Sequence, residues 1–163
     1  MKRMDTYGLR LCKYQAELFE KSIDEVECSS KIFIRRFMHS DYAKRMDMKG
    51  FLCGAEDVDD ALIEIELEYG ASTYGRDKFN REAMYWTGYI YRYWSYISDK
   101  SSKQIYKMIK PDELSKLYYP YHSLDPEAVI ERIKEEKGII DETDIGRGVE
   151  VMRRVRARHE NNK

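Results

Sequence analysis

Seven of the twelve residues in Tyr85-Trp86-Thr87-Gly88-Tyr89-Ile90-Tyr91-Arg92-Tyr93-Trp94-Ser95-Tyr96 are aromatic. So dense a run of rings must be covered by the rest of the chain, and this limits the folds open to it. Phe79, Ala83, Trp86, Ile90, Tyr93 and Ile97 fall near a 3.6-residue period, and Tyr85, Tyr89 and Tyr96 form a second stripe. A strand over 89–96 is the alternative, because aromatic residues also favour strands. The pattern lasts about twenty residues without strict alternation, which favours a helix over 77–98. A helix that is apolar on most sides belongs at the centre of a bundle.

The remainder of the sequence can supply that bundle. Of 163 residues, 42% are hydrophobic and 36% charged, so one domain with a sizeable core is expected and a disordered chain is excluded. No run of about 18 uncharged apolar residues is present to span a membrane. Three prolines and nine glycines are too few for a many-stranded sandwich. Helices are expected over 9–27, over 30–47 behind the capping serines Ser29 and Ser30, and over 57–69, stopped by Gly70. Ser101 and Gln104 form a capping box for a short helix through Met108. Pro111 opens another through Tyr118, and Asp125-Pro126 opens one that Gly138 ends. The expected fold is therefore all-α: a helical domain over 1–138 with about six to eight helices, and a polar tail over 139–163. The tail reads either as a terminal helix at 149–158 or as disorder.

Charge narrows the partners. The 29 basic and 30 acidic side chains nearly cancel, so no global field draws the chain to nucleic acid. They are distributed in blocks: +4 over 31–53, −7 over 54–70, −5 over 123–150 and +4 over the last thirteen residues. Cys12, Cys28 and Cys53 are odd in number and widely spaced, which argues for reduced thiols and against a zinc site. With no apolar stretch of signal-peptide type near Met1, the expected location is the cytoplasm.

Catalytic signatures are missing. His39, His122 and His159 stand in unrelated contexts, and there is no H-E-x-x-H, G-x-S-x-G, P-loop or dinucleotide fingerprint. No catalytic residue, cofactor or metal ligand is assigned. Gly146-Arg147-Gly148 is only a fragment of a phosphate loop. Arg154 and His159 match a spacing used by some helical ribonucleases, but five residues turn a helix by 500°, which misaligns the pair. His39, four residues after Arg35, reads as part of a helix face. The segment 101–118, with Lys103, Lys107, Lys110 and Lys116, faintly resembles a helix-turn-helix, and Arg153 to Arg158 add a basic tail. A DNA-binding regulator or phage-defence component is therefore the alternative function.

Ten of the fourteen tyrosines lie between Tyr74 and Tyr121. One core cannot readily satisfy so many phenolic hydroxyls, so some rims should reach the surface as a docking patch. The loop from Tyr118 to Pro126 is the densest such stretch. Arg92, Tyr96, Tyr118, Tyr119, Tyr121 and His122 are the candidate partner-binding residues.

Five strings point further. They run from Cys28 to Met38, from Tyr69 to Gly75, from Tyr85 to Trp94, from Ser101 to Lys107 with Ile109-Lys110-Pro111, and from Tyr118 to Asp125. These resemble a family of small cytosolic bacterial proteins encoded beside ADP-ribosyltransferase-like toxins, and the resemblance covers roughly residues 10–135. It implies an antitoxin or accessory protein that binds such a toxin and blocks its NAD-using site. In that reading the acidic stretch 56–68 meets a basic toxin face, while Arg92 and the 118–123 loop enter a cleft.

Overall fold

A computed structural model describes residues 2–51, 57–140 and 152. Nine helices and no strand occur among the described residues, so the chain is all-α. They are α1 (Thr6–Glu25), α2 (Ser30–His39), α3 (Asp41–Asp47), α4 (Val58–Tyr69), α5 (Arg81–Ser98), α6 (Ser102–Met108), α7 (Pro111–Lys116), α8 (Tyr118–Tyr121) and α9 (Pro126–Lys137). None of them is long and apolar enough to cross a membrane. Residues 141–151 and 153–163 lie outside the described set, so the expectations for Arg154, His159, the 149–158 helix and most of the tail do too.

Capping chemistry sets most boundaries. Asn80 opens α5 by accepting from the amides of Glu82 and Ala83, so the aromatic helix starts at Arg81 and not at 77. Ser101 and Gln104 form the expected capping box of α6. Asp125 accepts from Glu127 N ahead of Pro126, and Gly138 ends α9 in the left-handed region at φ 62°. The continuous helix expected over 30–47 is instead two. Ser40 takes an extended backbone, donates its hydroxyl to Phe37 O at 2.7 Å, and accepts from Ala43 N at 3.0 Å. One serine thus ends α2 and caps α3.

Helix α5 lies against α1, α6, α7, α8 and α9. Its deepest side chains are Met84, Ile90, Tyr91 and Trp94, all fully buried. Phe79 and Trp86, assigned to the core stripe by periodicity, are only half-buried, whereas Tyr91 and Trp94 belonged to neither expected stripe. The discrepancy arises because α5 is covered on more than one side, so no single 100° stripe describes its buried surface. Contact with α1 is closest at Gly88. A Cβ there would stand 2.9 Å from Gln15 O and 3.0 Å from the Ala16 Cα, so only glycine admits this approach. Phe19, Phe33 and Phe37 fill the adjoining layer, with Phe19 edge-on to both of the others.

Candidate functional site

The stretch from Tyr118 to Pro126, expected as a loop, begins as a helical turn. Helix α7 passes through Leu117, in the helical region, directly into α8. Pro120 is accommodated because it falls in the first turn, where an amide needs no helical acceptor. Four rings gather on this corner. Tyr118 lies 6.0 Å from Trp86 and 5.4 Å from Tyr119, both edge-on, and 4.8 Å from the His122 ring. The Tyr118 hydroxyl donates to Glu82 Oε2 at 2.9 Å and fixes the corner to the start of α5. The Tyr121 hydroxyl donates to Glu136 Oε1 at 2.9 Å and fixes it to α9. The His122 Nδ1 faces the Tyr118 and Tyr119 carbonyls at 3.0 and 3.2 Å, and carbonyls only accept, so the proton is on Nδ1. Above this base Tyr119 stands 71% exposed. Its ring rests edge-on against Tyr118, and its hydroxyl makes no hydrogen bond with the described residues.

Hydrogen bonding to Glu82 raises the Tyr118 phenol above its ordinary value, with burial adding to the effect. A phenolate base or nucleophile needs the opposite shift. Stacking, edge contacts and a free phenol are what this corner offers a ligand.

Arg92 requires correction. It is 2% exposed and cannot reach a partner. Its Nε donates to Gln15 Oε1 at 2.7 Å, one terminal nitrogen to Asp47 Oδ1 at 2.7 Å, and the other to Ser102 Oγ at 2.9 Å. It ties α1, α3 and α6 to α5. Tyr96 is half-buried, ten residues (about 15 Å of helix) from Trp86, so it is not part of the aromatic corner. Its hydroxyl donates to both Asp5 oxygens at 2.8 Å, and the Lys2 ammonium lies 3.7 Å from its ring centre. Both residues border a cleft of about 310 Å³ together with Asp47, Asp99, Lys100 and Gln104. Ionisable groups do converge there, but Arg92, Asp47 and Tyr96 are engaged in the fold.

The acidic run on α4 is also partly internal. Glu64 takes a two-point contact from Arg45 at 2.7 and 2.8 Å, Asp59 pairs with Lys21, and Glu68 accepts from Asp41 N. Asp60 and Glu66 remain exposed beside Ile63 (56% exposed) and Leu67 (79%). On the segment compared with a helix-turn-helix, α7 begins with Pro111 buried, Asp112 paired to Lys31 and Glu113 paired to Lys137. The end that would face phosphates is therefore acidic.

One arrangement escaped the sequence reading. Ile32, Arg35, Arg36 and His39 follow an i, i+3, i+4, i+7 spacing on α2 and line a groove of about 470 Å³ with Tyr69, Ser72 and Tyr74. The spacing and a loop over 70–76 were visible in the sequence; that the two face each other was not. No group of three or more His, Cys, Asp or Glu suited to a metal ion occurs among the described residues. No family model, curated protein or solved structure matches this chain.

Proposed function

We propose that this chain is a protein-binding module that docks its partner through the aromatic corner of Trp86, Tyr118, Tyr119 and His122. The observation that carries the reading is Tyr119, 71% exposed on a base of rings pinned to α5 and α9. Tyrosine and tryptophan give large contact area at low entropy cost, and a fixed base spares the cost of ordering the patch on binding. The proposed partner is an ADP-ribosyltransferase-like toxin encoded nearby, whose NAD-using site the corner would occlude. Support for that identity is the resemblance of the strings from Tyr85 to Trp94 and from Tyr118 to Asp125, which meet where Trp86 lies against Tyr118. Asp60 and Glu66, flanking Ile63 and Leu67, offer a second contact for a basic toxin face. The proposed site of action is the cytoplasm.

Co-expression with the neighbouring gene product tests this. A one-to-one complex on size exclusion and restored growth are expected. Tyr119→Ala should weaken the complex by about thirtyfold, or about 2 kcal/mol, without altering the fold. Separate elution together with no rescue of growth would contradict the reading.

A further inference from the structure

The groove on α2 is assembled from two parts that are far apart in sequence. One wall is the stripe Ile32, Arg35, Arg36 and His39, and the other is the irregular segment after Gly70. That segment is tied down from Tyr74 onward. Ser29 N donates to Tyr74 O at 3.2 Å, Ser30 N to Asp77 O at 3.0 Å, and Phe79 N to Ser30 Oγ at 2.9 Å. Gly75, at φ 71°, lies so close to Ser29 that a Cβ would meet its side chain at 2.9 Å. The backbone from Tyr74 to Phe79 is thus fixed, yet Tyr74 is 76% exposed.

The cations are arranged unequally. Arg36 donates to Gly70 O at 2.8 Å and lies 5.5 Å from the Tyr69 ring centre, which fixes its plane and leaves other N–H groups to donate. Arg35 is exposed, and its guanidinium makes no hydrogen bond or ion pair with the described residues. The His39 Nδ1 lies 2.8 Å from Arg35 O, a carbonyl that only accepts, so Nε2 is the nitrogen left to a ligand. The carboxylates on neighbouring elements are engaged or outside the groove: Glu68 with Asp41 N, Asp41 with Lys44, and Glu66 exposed on α4. None lines the groove.

We infer that this groove binds a nucleoside phosphate, with the Arg35 and Arg36 guanidinium groups on the phosphate and the Tyr74 ring against the base. Two guanidinium groups lining one groove can match the oxygens of a phosphate, and an exposed ring on a fixed backbone is a stacking platform for a heterocycle. The volume falls within the range of small-ligand pockets. This site is separate from the aromatic corner and does not depend on the partner proposed there.

Isothermal titration of the full chain at low salt tests the inference, with adenosine and guanosine 5′-monophosphates and diphosphates as ligands. Adenosine, guanosine and inorganic phosphate alone serve as controls. At least one nucleotide is expected to bind at least tenfold more tightly than its nucleoside and than inorganic phosphate. Arg35→Ala and Tyr74→Ala, both at exposed positions, should each weaken that binding at least tenfold while the unfolding temperature holds. Three results would overturn the inference: no nucleotide binding, phosphate binding as tight as any nucleotide, or affinity unchanged in both variants.

Discussion

The Arg92 guanidinium donates to Asp47 Oδ1 at 2.7 Å from a side chain that is 2% exposed, and Asp47 Oδ2 accepts from the Ser102 amide at 2.9 Å. A charge in the middle of the aromatic helix is thereby neutralised by the end of α3 and the start of α6. Truncating one partner leaves the other buried and unpaired, which is the costly way to break such a pair. Asp47→Ala is expected to lower stability by about 3 kcal/mol, or roughly 6–12 °C in Tm, measured by thermal unfolding. An unchanged Tm would mean that Arg92 is not held as described.

Close packing of α1 on α5 makes Gly88→Ala unfavourable although alanine is the better helix former by about 1 kcal/mol. The added Cβ would meet Gln15 O and the Phe19 ring at 2.9 Å, and a helix backbone cannot step aside as a side chain can. A net loss on the order of 1 kcal/mol or more is expected in denaturant unfolding. A gain in stability would show that α1 and α5 are further apart.

Thr87 is fully buried in α5, and its hydroxyl finds no hydrogen-bond partner among the described residues. A buried oxygen of this kind carries its desolvation cost uncompensated. Thr87→Val keeps the shape and removes the oxygen, so a rise of about 1 kcal/mol is expected by the same unfolding assay. A fall would place a partner on that hydroxyl.

Burial pushes the Tyr89 phenol up to about 12 and drives Tyr91 further in the same direction. Burial also raises Tyr93 and Tyr106. Above about pH 10 the unfolded chain releases these protons while the folded chain keeps them, so the folded state binds more protons and stability falls as pH rises. Unfolding temperature should be insensitive to these groups below about pH 10 and decline steadily from there towards pH 12. Tyr89→Phe should soften the decline. A profile that stays flat in that range would contradict the burial of these rings.

The helices legible in the sequence were those with chemical punctuation. Ser101 with Gln104, Asp125-Pro126, Gly70 and Gly138 each marked an end that the structure keeps. The all-α class followed from the long aromatic pattern on α5. Ser40 was harder to read, since an apolar period continued across it and only its own side chain divides α2 from α3. The role of Arg92 was not legible, because an arginine among aromatic residues looks the same whether it faces solvent or partners on three other helices. Tyr118, Tyr119 and His122 were identified by density alone, but their contact with Trp86 depends on where α8 folds back on α5. The α2 groove needed the pairing of Ser29 and Ser30 with the segment after Gly70, which no local spacing encodes.

Hydrogen–deuterium exchange on the chain alone and with the proposed partner, an ADP-ribosyltransferase-like toxin, is the most direct test of the proposed docking. Docking through the aromatic corner predicts new protection over residues 117–123 and around Glu82 to Trp86, with the cleft beside Arg92 unchanged. Protection centred on that cleft, or none at the corner in a verified complex, would contradict it.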